Sequence, residues 1–598
     1  MVPRSTSLAC LLVLAALSIP GCDDAADDTS PETDTDTDTD ADTDADTDVD
    51  TDTDVDTGPT DEDEDGWTLA GGDCDDGNAD VHPKAKEICD KVDSDCDGTT
   101  NDEDAAGCEV WFQDLDRDGY GSEVQACLCF PEGSFDTQQV GDCDDYDAAV
   151  NPWANEICDD KIDNDCDGKV DGICRLSGRH SLDESMAKLL GEEVRDQAGW
   201  SVAAADLSGD GTPEILIGAP LQNTGASDGG AVYVVGGPFS GSMSVSEATA
   251  ILLGEDTDDK AGYAVAAGDV NGDGQQDVLV GAPFQGSDKS VTGAAYVVYG
   301  PASDSTSLTE ADAKLTGASM GDCTGLSIAS GDMDGDDVGD VFVGAPYAEA
   351  AYLVFGPVAG SLSASSADVT FVGESEEASA GWAIASGDVN GDGVADALVG
   401  APYEGDTDEP TGAVYVLYGP ATSGVVALSE ADARLLGEAS GDTAGAAVAS
   451  GDVNGDGSDD VFVGAPGASA AYVVFGPVSG EAGLEFAHVR LSSEGEYSSA
   501  GASIASGDID GNGTSDILVG APSSDIAFLV YGPLSGTLAL SDADARLLGE
   551  VSGDDAGWAV ASSDLDLDGA GDVLVAAPLE DEGAINAGAV YVMMGELP

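Results

Sequence analysis

Seven short stretches of the chain place oxygen-bearing side chains at alternate positions of a turn that contains glycine. In the second stretch these side chains belong to Asp269, Asn271, Asp273 and Asp277, at positions 1, 3, 5 and 9 of the turn. Side chains at positions 1, 3 and 5 can converge on one centre, and the backbone carbonyl at position 7 adds another oxygen. Six or seven hard oxygen ligands suit Ca²⁺ better than Mg²⁺, which keeps more of its water. We therefore predict seven closed, structural calcium sites.

Every stretch supplies four candidate ligands. Ser208 and Glu214 make the first stretch the poorest match to the pattern, and hydrogen-bonded turns without a metal are the alternative for one or two of the loops. In chain order, the predicted calcium ligands are Asp206, Ser208, Asp210, Glu214, Asp269, Asn271, Asp273, Asp277, Asp332, Asp334, Asp336, Asp340, Asp388, Asn390, Asp392, Asp396, Asp452, Asn454, Asp456, Asp460, Asp508, Asp510, Asn512, Asp516, Asp564, Asp566, Asp568 and Asp572.

The overall charge narrows the classes of function. The chain has 598 residues, with 120 Asp and Glu against 17 Lys and Arg, and a formal net charge of −103. Such an acidic surface repels phosphate backbones, so we exclude nucleic-acid binding. The three histidines, His82, His180 and His488, are far apart in sequence. No Ser/His/Asp or Cys/His grouping is visible, and we predict that the protein is not an enzyme.

The acidic turns recur with a long period, which decides the predicted fold. Their first aspartates stand 56 to 64 residues apart, and Gly-Ala-Pro follows each of the first six turns. Each unit has four short apolar runs bounded by Gly, Pro and Asp. Four short antiparallel strands per unit predict a β-propeller. The predicted class is all-β, with seven four-stranded blades over residues 180–598.

The ring is predicted to close through its N-terminal end. The seventh unit ends after its third strand, at residues 591–594, whereas residues 187–190 before the first unit match the fourth strands of other units. We expect this N-terminal strand to complete the last blade and so to remove the open edges.

The units resemble the FG-GAP repeat of integrin alpha-subunit propellers. The acidic turn and the Gly-Ala-Pro segment recur in register over about 420 residues. The Phe-Gly element is Ala-Gly in most units and Thr324-Gly325 in the third. Trp200, Trp382 and Trp558 follow this element, and we interpret them as core residues between blades. The resemblance implies an all-β propeller whose ligand face lies opposite the calcium turns.

The N-terminal segments predict where the protein is located. Residues 1–21 read as an export signal, and Cys22 resembles the lipidated cysteine of a bacterial lipobox. A plain signal peptide is the alternative. Residues 22–60 are Thr/Asp repeats with almost nothing apolar, so we predict a disordered stalk. We expect an exported protein, held at the outer membrane or surface of a bacterium through its lipid anchor alone.

Residues 61–175 form a module rich in Cys and Asp that repeats internally. Gly72-Asp73-Cys74-Asp75-Asp76 recurs as Gly141-Asp142-Cys143-Asp144-Asp145. An even set of cysteines in an exported chain predicts a disulfide framework, here five bridges of unknown pairing. The predicted disulfide-forming residues are Cys74, Cys89, Cys96, Cys108, Cys127, Cys129, Cys143, Cys158, Cys166 and Cys174.

This module resembles the MopE-type metal-binding motif of bacterial surface proteins. Its acidic loops end in Gly, as an EF-hand-like loop requires. Copper is implicated in that family, but the hard oxygen ligands, and the replacement of His82 by Asn151 in the second copy, favour calcium. Turns without metal are a third alternative. The candidate ligands are Asp61, Asp63, Asp65, Asp93, Asp95, Asp97, Asp114, Asp116, Asp118, Asp163, Asp165 and Asp167.

The loops between second and third strands must open on the face opposite the calcium turns. Insertions lengthen them at residues 222–228, 285–292, 404–411 and 580–587, in units one, two, four and seven. Units seven, one and two are neighbours in a closed ring. We expect this sector to bind the partner, with tolerated surface insertions as the alternative.

The preferred function is a monomeric, calcium-stabilised surface lipoprotein that acts as an integrin-like adhesion or recognition module for a protein or a glycan. One alternative is a propeller-based enzyme acting on polysaccharide or phospholipid, because an acidic chain can use carboxylates alone. The other is a purely structural calcium-binding protein of the envelope.

Overall fold

The computed structural model describes ten stretches of the chain: residues 61–100, 105–122, 124–152, 162–164, 166, 176–286, 291–302, 305–406, 409–493 and 498–595. The predicted signal peptide, the predicted lipidation site Cys22 and the predicted stalk lie outside these residues, as do Cys158, Cys174, Asp165 and Asp167. The chain divides into two compact units, one within residues 19–173 and one that includes residues 174–598.

The larger unit contains seven five-stranded β-sheets, each built mainly by one repeat, and a two-stranded sheet of Gly405–Asp406 and Glu409–Pro410. The first strand of each sheet contacts the first strands of both neighbouring sheets, and the first strand of sheet seven contacts that of sheet one. The ring is therefore closed, and the first strands are innermost. This is the predicted seven-bladed propeller, and no α-helix occurs among the residues described above.

Four antiparallel strands make up most of each blade. The first strands are Ser201–Ala205, Ala264–Gly268, Ile328–Gly331, Ile384–Gly387, Ala447–Gly451, Ser503–Gly507 and Ala559–Ser563. The second strands are Glu214–Ala219, Asp277–Ala282, Asp340–Ala345, Asp396–Ala401, Asp460–Ala465, Asp516–Ala521 and Asp572–Ala577. The third strands are Ala231–Val235, Ala294–Val298, Ala350–Val354, Ala413–Leu417, Ala470–Val474, Ile526–Val530 and Ala589–Met593. The fourth strands are Ala250–Leu253, Ala313–Thr316, Val369–Val372, Ala433–Leu436, Val489–Ser492, Ala545–Leu548 and, in blade seven, Ala187–Leu190.

The N-terminal strand closes the ring as predicted. Ala187–Leu190 pairs antiparallel with Ala589–Met593, the last strand of the chain. Ala187 lies opposite Val592, and Leu190 lies opposite Ala589. The two ends of the repeat region are thus joined within one sheet, which leaves blade seven without an unpaired strand at this position.

Each blade also has a fifth strand, which the sequence analysis did not predict. It runs parallel to the fourth strand and precedes the fourth strand of the following blade in the chain. In blades one to seven the fifth strands are Thr306–Ser307, Gly360–Ser363, Gly424–Ala427, Gly480–Gly483, Gly536–Ala539, Gly178–Ser181 and Gly241–Ser244. Thr306–Ser307 is half-buried throughout, and the other six segments are exposed at their start and half-buried at their end. They therefore lack the apolar alternation by which a strand is recognised.

The fifth strands change how the ring is held. Every blade is joined to the next through backbone hydrogen bonds, in addition to packing. The N-terminal segment contributes twice, because Gly178–Ser181 pairs with blade six and Ala187–Leu190 pairs with blade seven. Closure therefore uses two strands rather than one.

Short 3₁₀ turns complete the connections of the propeller. A turn leads into each fourth strand, and its first residue is buried. These turns are Leu182–Glu184, Val245–Glu247, Leu308–Glu310, Ala364–Ser366, Leu428–Glu430, Leu484–Phe486 and Leu540–Asp542. In the blades with tight connections, a proline-initiated turn links the second and third strands, at Pro346–Ala348, Pro466–Ala468 and Pro522–Ser524.

The hydrophobic core lies between neighbouring blades. All six residues of each second strand are buried, from Glu214–Ala219 to Asp572–Ala577. Leu216 and Val234 of blade one pack in one cluster with Val280 and Tyr296 of blade two. A strand covered on both faces is apolar throughout rather than alternating, which explains the continuous Val, Leu, Ile and Ala runs.

Small residues let the innermost strands approach each other. Ser386 Oγ donates to the Ser330 carbonyl at 2.7 Å, and Ser450 Oγ donates to the Ser386 carbonyl at 2.9 Å. A Cβ atom added at Gly387 would lie 2.2 Å from Ser450 Oγ. Larger side chains at these positions would push the blades apart.

In its described residues, the smaller unit has little regular structure and four disulfides. Its strands are Glu109–Gln113, Gln125–Leu128 and Phe135–Thr137, and a 3₁₀ turn covers Leu69–Gly71. Eight of the ten predicted cysteines form the pairs Cys74–Cys96, Cys89–Cys129, Cys108–Cys127 and Cys143–Cys166. The first and last pairs are equivalent in the two copies, which confirms the internal repeat.

One buried cation holds the closing strand of the propeller. Lys188 is 6% exposed and its Nζ lies 3.0 Å from Glu550, 3.1 Å from Glu580 and 2.5 Å from Glu582. The ammonium group also lies over the ring of Tyr591, 5.3 Å from its centroid. Burial lowers the pKa of Lys188, but hydrogen bonds to Glu582 and Glu550 raise it well above its ordinary value. Lys188 is therefore charged at all physiological pH values.

We expect Lys188→Met to destabilise the propeller by about 3–5 kcal/mol, because it leaves buried carboxylates such as Glu580 without a cation. Thermal or denaturant unfolding of the full chain measures the loss. Lys314→Met is the matched control, since Lys314 occupies the same strand position in blade two but is more exposed and pairs with Glu255. Equal losses for the two variants would contradict a special role in closure.

Candidate metal sites and candidate binding face

The acidic turns join the first and second strands of every blade, as predicted. In blade two, the Asp269 carboxylate accepts the N–H groups of Gly272, Asp273 and Gly274 at 2.8, 3.1 and 2.8 Å. The carboxylate at position 1 accepts the same set of N–H groups, or part of it, in the other blades, for example at Asp332. The first residue of each turn therefore fixes the backbone as well as offering oxygens to a cation.

The acidic residue at position 9 ties the turn to the blade. Asp340 is fully buried, and it accepts the N–H groups of Met333 in the turn and Gly356 after the third strand, both at 2.9 Å. Asp277 makes the equivalent bonds with Val270 and Gly300. This residue is the start of the second strand, so one carboxylate connects the turn, the second strand and the end of the third.

These position-9 aspartates are costly to ionise in the absence of a cation. Burial raises their pKa although the backbone hydrogen bonds lower it, and neighbouring carboxylates of the turn raise it further. The pKa rises to about 6 for Asp277, Asp396 and Asp460 and to about 7 for Asp340, Asp516 and Asp572. A bound divalent cation would remove this cost.

Position 3 separates the turns into different kinds. In blades two, four and five it is an asparagine whose Nδ2 donates to the position-9 aspartate, at 3.1 Å for Asn271 and 3.2 Å for Asn390. In blades three, six and seven it is an aspartate, which cannot donate when ionised. Asp332, Asp334 and Asp336 bring carboxylate oxygens within 4.8 Å of one another, and Asp334 Oδ1 is buried without a hydrogen-bond partner. The aspartate-bearing turns therefore need a cation most.

The first turn differs from all others, as the sequence indicated. Ser208 stands at position 3, and Glu214 accepts the N–H groups of Leu207 and Ser208 at 2.8 and 3.1 Å. The longer Glu side chain thus reaches the same backbone groups that Asp reaches in other blades.

In the smaller unit, the structure groups the candidate ligands only partly as the sequence suggested. Asp61, Asp63 and Asp65 lie together, as do Asp114, Asp116 and Asp118. Asp93 and Asp95 lie with Glu87, which the sequence analysis did not select, whereas Asp97 is exposed and accepts the N–H and hydroxyl of Thr99. Asp163 is half-buried. A sequence signal could have identified Glu87. It recurs as Glu156 in the second copy, at the same distance from the neighbouring cysteine.

The opposite face of the propeller carries the loops between second and third strands. The long loops are closed at their base by glycine N–H groups, where Gly230 donates to the Gln222 carbonyl and Gly588 donates to the Glu580 carbonyl. Gln222 and Glu580 are both buried. Each long loop therefore has a base that is fixed by backbone hydrogen bonds.

A row of aromatic rings lies at the same end of the blades. The ring centroids of Trp558 and Trp200 are 4.6 Å apart, those of Trp200 and Tyr263 are 5.3 Å apart, and those of Tyr263 and Phe284 are 6.3 Å apart. Trp558, Trp200 and Tyr263 are half-buried, and the Trp200 ring contacts the rings of both neighbouring blades. Tyr263 and Trp382 also pack against a small cluster of the buried residues Phe284, Cys323 and Leu326, so these rings lie between blades, at the end where the first strands begin.

Comparison with known families defines the class of protein. The FG-GAP repeat matches residues 198–235, 261–298, 380–417 and 556–593, and an FG-GAP-like repeat matches residues 452–519. A putative metal-binding motif of the Cu-binding MopE type matches residues 73–102 and 142–172. The propeller therefore contains FG-GAP repeats, and MopE-type motifs precede it in the chain. Blade three lies outside the matched residues, yet its strands are equivalent.

Particular relatives come from two groups. Phosphatidylinositol-glycan-specific phospholipase D of Homo sapiens is 29% identical over 392 residues, which are 56% of this chain and 46% of that protein. Integrin alpha-PS5 of Drosophila melanogaster is 33% identical over 170 residues, 27% of this chain and 16% of the integrin. Integrin alpha-5 of Xenopus laevis is 30% identical over 222 residues, 36% of this chain and 20% of the integrin. The chain spans less than half the length of each of these relatives.

The disulfides and the integrin relatives indicate an extracellular protein. Within the residues given above, none of the helices has the length and apolar character needed to cross a membrane.

We expect the stability of the ion-free propeller to fall as pH rises from about 4 to about 7. The pKa of Asp340 and of its equivalents is higher in the folded state than the ordinary 3.8, so the folded state favours the protonated carboxyl. That advantage is complete below pH 4 and is lost as pH rises to the folded-state pKa. Melting curves of protein stripped of divalent ions by a chelating resin measure the trend. Saturating Ca²⁺ should abolish or reverse it, and a flat profile without ions would contradict the account.

We expect Asp340→Asn to lower the melting temperature in the presence of Ca²⁺ and to change it much less in its absence. The amide keeps an acceptor for one N–H group but removes the charge that a cation would compensate, and a stabilisation of about 1–3 kcal/mol is at stake. Asp337→Asn in the same turn is the control, because Asp337 is exposed, has a φ of 68° that Asn tolerates, and is not a predicted ligand.

Proposed function

We propose that this protein is a calcium-stabilised recognition module of the cell surface, which binds a protein or glycan ligand on the propeller face opposite the acidic turns. The binding sector is formed by blades seven, one and two. The predicted lipid on Cys22 attaches the chain to the cell envelope, and the predicted stalk separates the folded units from it. Calcium in the acidic turns keeps the ring rigid but does not contact the ligand.

The observation that carries this proposal is the coincidence of two features in one sector. The rings of Trp558, Trp200 and Tyr263 come from blades seven, one and two, and three of the four long loops come from the same blades. Aromatic rings that remain partly exposed supply large contact areas at low entropic cost and dominate many binding interfaces. Surface insertions that are merely tolerated have no reason to cluster beside them.

A phospholipase activity is the second candidate, because one group of relatives bears that name and covers more than half of this chain. The three histidines of this chain have other contacts. His488 accepts the N–H of Phe475 and stacks on its ring, His180 lies 3.9 Å from Glu184, and His82 stacks on Trp67. We therefore rank recognition above catalysis, and an assay on a glycosylphosphatidylinositol substrate with and without Ca²⁺ distinguishes the two.

We expect a screen on a glycan array and a pull-down from surface extracts to yield a ligand that Trp200→Ala weakens by about thirtyfold or more, equivalent to about 2 kcal/mol. Replacing residues 285–292 by a four-residue turn should also abolish binding without lowering the melting temperature, because the base of the loop is closed by backbone hydrogen bonds.

Two matched controls lie in blade four, outside the sector. Trp382→Ala, and the same shortening of residues 404–411, should leave the affinity unchanged. If the blade-four variants lose the ligand as much as the blade-one and blade-two variants do, or if neither set does, the proposed sector is wrong.

A further inference from the structure

The smaller unit contains acidic side chains that the family match does not group. Asp61, Asp63 and Asp65 form a loop that precedes the matched residues 73–102, while Asp73 and Asp76 belong to the recurring Gly-Asp-Cys-Asp-Asp turn. The structure brings the two segments together. The carboxylates that repel Asp76 are chiefly those of Asp73, Asp63 and Asp61, and those that repel Asp63 include Asp73.

In this cluster, each carboxylate has a buried oxygen without a partner. Asp73 is 4% exposed and Asp76 is 9% exposed, and Asp73 Oδ2 and Asp76 Oδ1 make no hydrogen bond. The same is true of Asp61 Oδ1, Asp63 Oδ2 and Asp65 Oδ2. The remaining oxygens of the loop are used to shape it, since Asp61 Oδ2 accepts the N–H of Gly66 and Asp65 Oδ1 accepts that of Trp67.

Five carboxylate oxygens of like charge without partners destabilise the folded loop unless a cation binds them. A buried polar group without a hydrogen bond is costly, and a buried anion without a counter-charge is more so. Among the residues that the structure describes, no lysine or arginine forms an ion pair with this cluster. The ammonium group of Lys84 lies over the ring of Trp67 instead, 5.1 Å from its centroid.

The second copy has an equivalent acidic cluster, although a longer stretch of chain separates its loop from its turn. Asp114, Asp116 and Asp118 lie together, and Asp142, 7% exposed, is repelled chiefly by Asp118, Asp116 and Asp145. Asp116 Oδ2, Asp118 Oδ2 and Asp142 Oδ2 are buried and unpartnered. Here two strands, Gln125–Leu128 and Phe135–Thr137, lie between the loop and the turn in the chain, whereas in the first copy only the 3₁₀ turn Leu69–Gly71 lies between them.

One difference between the copies concerns Asp145. Its carboxylate accepts the N–H of Leu115 at 3.0 Å and the hydroxyl of Ser122 at 3.2 Å. Both oxygens of Asp145 are therefore hydrogen-bonded, whereas Asp76 Oδ1 has no partner. The second cluster is consequently held in place partly by hydrogen bonds that do not depend on an ion. We expect it to bind more weakly than the first, because one of its carboxylates is already engaged.

We propose that each copy holds one hard divalent cation of the calcium type between its acidic loop and its Gly-Asp-Cys-Asp-Asp turn, with Asp73 and Asp76 as ligands in the first copy and Asp142 and Asp145 in the second. The loops supply positions 1, 3 and 5, and the carbonyls of Trp67 and Tyr120 stand at position 7. Carboxylate and carbonyl oxygens select Ca²⁺ over soft metals. The turn of each copy is itself held by a disulfide, Cys74–Cys96 in the first and Cys143–Cys166 in the second.

The position of Trp67 allows a direct test of the first site in the full chain. Terbium(III) replaces calcium on oxygen ligands, and a tryptophan beside the ion sensitises its luminescence. We expect tryptophan-excited terbium emission that Ca²⁺ competes away and that an equal concentration of Mg²⁺ does not. Trp67→Phe should remove most of this emission while leaving the number of bound ions unchanged.

The ligand variants decide the proposal. Asp73→Asn combined with Asp76→Asn should remove the Trp67-dependent emission and one bound ion per chain, counted by equilibrium dialysis. Asp75→Asn is the matched control, because Asp75 lies in the same turn and is exposed. Asp76→Asn alone, which keeps the bond from the Asp75 N–H to Asp73, should weaken terbium binding about tenfold or more.

The remaining outcomes are also informative. In the second copy, Asp142→Asn should remove one ion, and exposed Asp144→Asn should not. Intact disulfides, checked by mass spectrometry of each variant, show that a loss is not misfolding. Retention of the emission and of the ion count in the Asp73/Asp76 double variant would overturn the proposal, as would equal losses in the Asp75→Asn control. These ions are separate from the propeller, so ligand binding can fail while this result stands.

Discussion

The whole propeller depends on carboxylates that are buried where the chain turns. At position 9 of the acidic turns in blades two to seven, one side chain accepts N–H groups from the turn and from a glycine just after the third strand, as Asp340 does with Met333 and Gly356. This contact sets the distance between three strands at one end of the blade. Its strength depends on charge, and charge inside a protein has to be compensated. The other features of the ring follow from how that compensation is arranged.

Closure is the second constraint, and it is distributed over the ring. Because each fifth strand is contributed by the following blade, a blade that opened would disturb the outer edge of its predecessor. The N-terminal segment replaces the missing strands of two blades, and the buried Lys188 fixes its position among three glutamates. In a chain with so few lysines and arginines, one cation stabilises the fold most at a point where several carboxylates meet. The Lys188 cluster is such a point.

Much of the fold could be predicted from the sequence because it depends on repetition. The spacing of the aspartates gave the number of blades, and the surplus apolar run at residues 187–190 gave the closing strand. The fifth strands could not be predicted, since segments such as Gly241–Ser244 have no hydrophobic pattern and owe their structure to a neighbouring edge. The same applies to Asp73 and Asp142, whose role depends on a loop that lies 12 residues away in one copy and 28 in the other.

The two faces of the ring carry different kinds of residue for a physical reason. Turns that use nearly every side chain to fix the backbone cannot change without destabilising a blade, so they leave little freedom for recognition. At the opposite face, each long loop is closed at its base by a glycine N–H that donates to the carbonyl of a buried residue such as Gln222, so the backbone of the base does not depend on the residues of the tip. Residues of the tips can therefore vary, beside the rings of Trp558, Trp200 and Tyr263. The acidic turns can thus stabilise the propeller at one face while the loops at the other face differ in length and sequence.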